Sequence, residues 1–216
     1  MNLKNIPAKM IVIDGVDGAG KGLQSKTLYA AMQKAGLPVI LTREPGGSPG
    51  AEEIRRLLVE GDPNKWDAMT ELLLVYAARR SHLCQTVWPA LEQGTWVISD
   101  RFADSSRAFQ GIAGGLGLDL VNQMHQLVVD DFEPDLTFIL DVAPEISLAR
   151  AKARGDHENR FEQKEMAYHE KVRLAFLQCV EIDPHNHVII DASVAPEQVS
   201  KNLLAQVNQR FNLNLS

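Results

Sequence analysis

A short glycine-rich segment carries the residue types and the spacing that bind phosphate. The heptapeptide Gly15-Val16-Asp17-Gly18-Ala19-Gly20-Lys21 fits the pattern GxxxxGK and lies between a strand-like run and a helical pattern. Its glycines let backbone N–H groups converge on phosphate oxygens, and the N-terminus of the following helix adds partial positive charge. Lys21 is placed to reach the outer phosphates of a nucleoside triphosphate. The residues from Gly15 to Gly22 are therefore predicted to bind ATP.

The position after the loop lysine bears on metal binding. This motif usually ends in Ser or Thr, whose hydroxyl contacts Mg²⁺, but residue 22 is Gly. Ser25 and Thr27 lie further along the helical pattern and are out of register to replace that hydroxyl. Asp100 follows the strand-like run 96–99 and is the natural acidic partner of the metal. We expect Asp100 to bind Mg²⁺ through a water molecule, with Mg²⁺ as the cofactor that accompanies ATP.

Arginines concentrate where a sheet would present them to an anion. Arg43 and Arg101 each follow a predicted strand, which favours anion binding over a solvated surface position. Further arginines lie on the predicted helix 65–93 or cluster around Gly155, and these are Arg79, Arg80, Arg150, Arg154 and Arg160. For Arg80 and Arg150, a solvated surface position explains the residue equally well. A phosphate loop for a donor nucleotide, facing Arg side chains for an acceptor phosphate, indicates phosphoryl transfer. An Arg-rich segment that closes over the site would also exclude water.

The elements that must position these residues alternate along the chain. Strands are predicted over 9–14, 38–42, 95–99, 136–141 and 188–190. Helices are predicted over 20–35, 51–60, 65–93, 104–109, 118–130, 144–153, 165–182 and 196–211. Apolar strands joined by helical crossovers predict an α/β fold in three layers, with a five-stranded parallel sheet flanked by helices. Ligands bind such sheets at the carboxyl ends of the strands, where the polar clusters fall.

Length and composition exclude several classes of protein. The 216 residues predict one domain over 1–216, with the charged segment 150–164 as a short lid. With 22 Lys and Arg against 28 Asp and Glu, the net charge of −6 argues against nucleic-acid binding. No apolar run approaches the ~20 residues that span a bilayer, and the N-terminus lacks a signal-peptide pattern. Cys84 and Cys179 form no disulfide framework, which favours two buried thiols in the cytoplasm.

An ordered set of motifs over nearly the whole chain resembles the thymidylate kinase family, which makes dTDP from dTMP. The motifs are DGVDGAGK at 14–21, TREPGG at 42–47, YAAR at 76–79, DRF at 100–102, SSRAFQG at 105–111, PDLT at 134–137, LD at 140–141, RAKARG at 150–155 and NRFE at 159–162. The resemblance implies a P-loop NTPase fold with an Arg-rich lid, ATP and dTMP as substrates, and a homodimer. The apolar surface of the helical stretches at 72–93 and 117–130 suits a dimer, but core burial explains it equally well.

The resemblance also implies roles for individual residues on the acceptor side. Asp17 would accept the deoxyribose 3′-hydroxyl or help organise the phosphates. Arg43 and Arg101 would bind the acceptor phosphate, and Arg79 would contact the O4 side of thymine. Other residues would line the base or sugar pocket, namely Val75, Ser105, Ser106 and Gln110.

On the donor side, the resemblance assigns the lid arginines to ATP. Arg154, supported by Arg150 and Arg160, would stabilise charge on the transferred phosphoryl group. The catalytic set implied is Lys21, Arg101, Asp17 and Arg154.

Some positions depart from the family pattern near the base. Val75 stands where many relatives carry a Phe that stacks on thymine, and such a ring contributes about 1–3 kcal/mol. Phe102 and Phe109 stand where Tyr or His is common. These departures leave two alternatives open: a kinase of dUMP, a 5-modified dUMP or another deoxynucleoside monophosphate, and a catalytically weak nucleotide-binding relative.

Overall fold

Strand β1, Met10–Gly15, is buried along its whole length and lies at the centre of the fold. Successive side chains of a strand point to opposite faces of the sheet. Ile11 and Ile13 accordingly belong to one hydrophobic cluster, whereas Met10 and Val12 belong to another. Because both faces of β1 are apolar, both sides of the sheet must be covered.

The computed structural model describes residues 7–62, 64–154 and 164–216, except for the side chain of Arg154. The strands after β1 are β2 (Val39–Arg43), β3 (Trp96–Asp100), β4 (Leu136–Asp141) and β5 (His187–Asp191). Within these described ranges, the five strands form one fully parallel sheet in the order β2-β3-β1-β4-β5. The predicted five-stranded parallel sheet is confirmed.

Helices pack on both faces of this sheet. In chain order they are α1 (Lys21–Lys34), α2 (Pro49–Val59), α3 (Ala68–His82), α4 (Trp88–Glu92), α5 (Ala103–Ser106), α6 (Leu118–Val129), α7 (Pro144–Arg154), α8 (Met166–Ile182) and α9 (Pro196–Phe211). Leu28 of α1, Phe176 of α8 and Leu203 of α9 share a cluster with one face of β1. Ala103 of α5 and Val129 of α6 share a cluster with the other. The fold is therefore the predicted three-layer α/β arrangement.

Two predicted helices differ from the structure because π-helical segments interrupt them. The pattern over 65–93 begins only at Ala68, where Asp67 Oδ1 accepts the Thr70 N–H at 2.8 Å as an N-cap. It is then divided by a π-helical segment, Leu83–Val87. The helix predicted over 104–109 is α5 followed by a second π-helical segment, Arg107–Ala113. An extra residue in a turn leaves no mark on hydrophobic periodicity, so sequence reasoning missed both.

The expectation of two buried thiols is wrong for one of them. Cys179 is buried in α8, whereas Cys84 is exposed on the π-helical segment after α3. Within the described residues, no helix is both long and apolar enough to cross a membrane.

The register of the sheet brings the predicted site residues to one edge. Arg43 at the end of β2 pairs with Asp100 at the end of β3, and Asp100 pairs in turn with Ile13 of β1. All strands run in the same direction, so the loops after β1, β2 and β3 leave from the same edge. The glycine-rich loop and both strand-end arginines therefore lie at the same edge of the sheet.

Candidate active site

The loop after β1 has the backbone of a phosphate cradle. Gly18 has a φ of 80°, and a Cβ added there would lie 1.9 Å from the Ser147 carbonyl oxygen, so only glycine fits. Lys21 opens α1 and folds back over the loop, where its Nζ donates to Gly15 O at 3.1 Å and Val16 O at 2.7 Å. The ammonium group thus lies against the concave side of the loop, where phosphates would bind.

The charge on Lys21 is held in a buried setting. Its Nζ lies 3.9 Å from the Asp17 carboxylate, and the side chain is 8% exposed. Burial, together with the nearby Arg101 guanidinium, lowers the pKa of Lys21 to about 8. A polyanion arriving at the loop would stabilise the protonated form.

Arg101 joins the glycine-rich loop to the helix that follows β3. Its Nη1 donates to Asp14 Oδ1 at 3.1 Å, to Gly15 O at 2.8 Å and to Ser105 Oγ at 3.0 Å. Its Nη2 forms a short ion pair with Asp17 Oδ1. Arg101 has a φ of 76°, in the left-handed region that non-glycine residues rarely adopt. Backbone strain of this kind persists where the surroundings fix a functional side chain.

Arg79 of α3 is held rigidly at the wall of the site. Its Nε donates to Glu44 Oε2 at 2.7 Å, Nη2 donates to Phe102 O at 3.0 Å, and Nη1 and Nη2 both donate to Ser106 Oγ at 3.1 Å. The guanidinium carbon lies 4.5 Å from the ring centroid of Tyr76 and 5.0 Å from that of Phe102. Four of its five N–H donors are thereby used, which leaves one on Nη1.

Behind Arg79, a buried histidine supports Glu44. His82 Nδ1 lies 3.0 Å from Glu44 Oε1, and its Nε2 lies 2.7 Å from Thr42 Oγ1. Burial raises the pKa of Glu44, but Arg79 and His82 outweigh it, so the pKa lies below its usual range and the group is a carboxylate. A carboxylate only accepts, so His82 donates from Nδ1.

One cavity of about 600 Å³ connects these groups. Among the sequence-predicted site residues, it is lined by Asp17, Gly18, Ala19, Gly20, Lys21, Gly22, Arg43, Val75, Arg79, Asp100, Arg101, Ser105, Ser106, Gln110 and Arg150. Ala192 and Pro196, after β5, line it at the loop side, while Phe109 lines it at the side of α3. A cavity of this volume is in the range that binds a small-molecule ligand.

The residues beside Gly22 fit a hydrated Mg²⁺ ion. A Cβ at Gly22 would lie 3.5 Å from Asp100 Oδ2, so the Asp100 carboxylate occupies the space that a residue-22 hydroxyl would face. Among the described residues, no group of three or more His, Cys, Asp or Glu could hold a metal ion by itself. Mg²⁺ takes one or two carboxylates and completes its shell with water and phosphate, which matches a single Asp100.

Comparison with known proteins identifies the family. The family model described as thymidylate kinase matches residues 13–203. The chain belongs to the thymidylate kinase family. The predicted family is thus confirmed, and the matched range includes the glycine-rich loop, Arg101 and α3.

Individual thymidylate kinases are similar to this chain over almost its full length. The thymidylate kinase of Dinoroseobacter shibae is 45% identical over 201 residues, which cover 93% of this chain and 97% of the relative. That of Ruegeria pomeroyi is 46% identical over 202 residues, with 94% and 95% covered. The crystal structure of thymidylate kinase from Ehrlichia chaffeensis superimposes with a TM-score of 0.75 at 30% identity, covering 93% of this chain and 98% of that one.

Some residues that the sequence singled out are not seen to line the cavity of this thymidylate kinase family member. Gly15 and Val16 lie behind the cavity and supply the carbonyls that hold Lys21. Arg80 turns away, because its Nη1 donates to Val128 O at 2.9 Å and its guanidinium stacks on Trp88. Arg160 and the side chain of Arg154 lie outside the described residues, as does most of the predicted lid.

Two carboxylates in this thymidylate kinase site were missed by sequence reasoning. Asp14 is fully buried and accepts hydrogen bonds from the backbone N–H groups of Gly15, Phe102 and Ser105, as well as from Arg101. Glu44 anchors Arg79. The sequence feature that could have indicated these two residues is their position, since each stands beside a predicted site residue at the end of a strand.

Proposed function

We propose that this thymidylate kinase family member transfers the γ-phosphoryl group of ATP to dTMP and forms dTDP, a step towards dTTP. The observation that carries the proposal is a cavity lined both by the phosphate loop with Lys21 and by Arg43, Arg79 and Arg101. A protein that only hydrolyses or stores ATP needs the phosphate loop but not the arginines for an acceptor phosphate.

The reaction requires charge neutralisation more than covalent chemistry. An oxygen of the dTMP phosphate is already anionic, so it attacks the γ-phosphorus without a general base. The new O–P bond forms as the bond between the γ-phosphorus and the β–γ bridging oxygen breaks, and ADP leaves with that electron pair. Lys21 stabilises the donor oxygens, while Arg43 and Arg101 hold the acceptor phosphate. Asp17, paired with Arg101, orients that guanidinium and the acceptor sugar.

A bound Mg²⁺ ion would offset the negative charge of the donor phosphates. Asp100 would hold it through water, as its position beside Gly22 allows. The ATP-binding roles of Arg154 and Arg160 stay predictions. Arg150 lines the cavity, where its Nη1 donates to Ala192 O at 2.8 Å, and it would flank the donor nucleotide.

The other end of the cavity would take the pyrimidine. Arg79 presents its remaining Nη1 N–H, which suits the O4 acceptor of thymine. Val75 and Gln110 line the same end. Ser105 and Ser106 contribute indirectly, because their hydroxyls contact Arg101 and Arg79.

A substrate profile tests the proposal. With ATP and Mg²⁺, ADP release measured by a coupled assay should be fastest with dTMP among dTMP, dUMP, dCMP, dGMP and AMP. We expect a preference of at least about tenfold over dCMP, because a base with an amino group opposes the Arg79 donor. ATP binding without turnover of any monophosphate would contradict the proposal.

We also propose a homodimer formed through the back of α3. Met69 and Leu73 are 38% and 52% exposed and lie four residues apart, so they share one face of α3. Leu127 of the adjacent α6 is 82% exposed. An apolar surface of this kind marks interaction sites.

Replacing Leu73 with Glu should convert a dimer into a monomer, because a charge would be buried in an apolar interface. Light scattering coupled to gel filtration measures the mass. Leu174→Glu is the matched control, since Leu174 is 63% exposed on α8 and should leave the mass unchanged. A Leu73→Glu variant that stays dimeric would show that the dimer does not form through this face of α3.

We further propose a cytoplasmic location, which the two free thiols favour. Cell fractionation tests this proposal.

A further inference from the structure

A buried carboxylate lies behind the base end of the cavity without lining it. Glu71 of α3 is 6% exposed, and Gln110 of the π-helical segment is 3% exposed. The Gln110 Nε2 atom donates to Glu71 Oε2 at 3.1 Å. Gln110 lines the cavity, so Glu71 contacts the far side of a cavity residue.

Glu71 lies in the first turn of α3. Its Oε2 atom accepts the hydrogen bond from Gln110, so the side-chain amide of Gln110 turns its NH₂ group towards Glu71. An amide whose NH₂ group points one way has its oxygen pointing the other way.

The other end of the amide then faces the cavity. Gln110 Oε1 has no hydrogen-bond partner within the described residues. Among those residues, Ser25 Oγ is the one side-chain polar atom that lacks a partner and is also buried, so Gln110 Oε1 is not buried. Gln110 Oε1 is therefore accessible, and the accessible space beside Gln110 is the cavity. The cavity wall presents a hydrogen-bond acceptor at this point.

We propose, resting on the function proposed above, that Glu71 is a positioning residue that sets base specificity by fixing the amide orientation of Gln110. An acceptor at the wall fits a pyrimidine whose N3 carries a proton, as in thymine and uracil. It opposes a pyrimidine whose N3 is a bare acceptor, as in cytosine. Without Glu71, the amide of Gln110 can turn over and present its NH₂ group instead.

The experiment measures kcat/KM for dTMP, dUMP and dCMP in the wild type, Glu71→Gln, Gln110→Leu and the double variant. In Glu71→Gln, the ratio of dTMP to dCMP should fall by about tenfold or more, because one favourable hydrogen bond is no longer enforced. The ratio of dTMP to dUMP and the KM for ATP should stay within about twofold. In the Gln110→Leu background, Glu71→Gln should leave the dTMP to dCMP ratio unchanged.

Glu71→Met keeps the side-chain length and removes the acceptor, so it provides a second variant if Glu71→Gln does not fold. A fall in kcat/KM by the same factor for all three monophosphates would overturn the proposal and leave Glu71 a purely structural role. An effect that persists in the Gln110→Leu background would also overturn it. A wild-type enzyme that turns over no monophosphate would instead refute the proposed function, so the two failures are distinguishable.

Discussion

Replacing Arg101 with Ala is expected to lower kcat/KM for dTMP by about a thousandfold or more, because the site loses the cation between its two phosphate-binding halves. Arg101 contacts the loop carbonyl of Gly15, the Asp17 carboxylate and Ser105 at once. No other side chain of the described residues joins these three groups. The loss should appear in kcat as well as in KM, since charge on the transferred group develops in the transition state.

The fold should survive this change. Asp14 loses one cation but keeps hydrogen bonds from the backbone N–H groups of Gly15, Phe102 and Ser105 and from the Ser105 hydroxyl. Burial already raises the pKa of Asp14 and Arg101 is the charge that most opposes this rise, so without Arg101 the Asp14 carboxyl binds a proton more readily instead of remaining an unpaired buried charge. Circular dichroism and thermal melting would report a folded chain with a lower Tm.

Two further variants serve as controls for Arg101→Ala. Arg101→Lys keeps the positive charge but cannot contact Asp14 and Asp17 together, so its activity should lie between those of the wild type and the Ala variant. Arg210→Ala removes an exposed guanidinium on α9 that bonds only Asn186 among the described residues, and should retain full activity. Ordinary turnover by Arg101→Ala would refute the role of Arg101 and weaken the kinase assignment.

Sequence patterns predicted the sheet and the phosphate loop because neighbouring residues along the chain form each of these elements. The glycine-rich loop, the strand that precedes it and the helix that starts at Lys21 occupy a continuous stretch of sequence. Arg43 and Arg101 were found because a residue that follows a strand in a parallel sheet lies at the ligand-binding edge. The family resemblance then supplied the base-binding roles of Arg79, within a predicted helix, and of Gln110, just after one, because neither residue follows a strand.

The supporting contacts could not be read from the sequence because they join distant residues. Glu44 meets Arg79 across 35 positions of sequence, and Glu71 meets Gln110 across 39. Each looks like an ordinary surface carboxylate in its own segment, and only the folded chain brings Glu44 to α3 and Glu71 to the π-helical segment Arg107–Ala113. The π-helical segments also escape a pattern of period 3.6.

Replacing Lys21 with Ala is the second change for which we expect a loss of about a thousandfold or more in kcat. Lys21 is the cation that lies inside the phosphate loop, with its Nζ on the carbonyls of Gly15 and Val16. Ala removes that charge and leaves the glycine backbone unchanged, because Lys21 packs at the start of α1 rather than in the hydrophobic clusters. Steady-state kinetics with saturating ATP, Mg²⁺ and dTMP measures the loss.

The lowered pKa of Lys21 gives this prediction a second measurement that does not depend on turnover. In the ligand-free enzyme the pKa is about 8, so near pH 8 about half of the Lys21 side chains are neutral. ATP phosphates raise that pKa, so ATP binding should take up about half a proton at pH 8, and affinity should fall as the pH rises further. Calorimetry in two buffers of different ionisation enthalpy measures the uptake.

Variants at Lys21 link the proton to the residue. In Lys21→Ala the proton uptake should disappear together with the activity, whereas Lys21→Arg, which stays charged, should lose the uptake but keep part of the activity. Uptake that persists in Lys21→Ala would assign the proton to another group, such as a phosphate of ATP itself. Near-normal turnover by Lys21→Ala would refute the role of Lys21 in neutralising the donor phosphates.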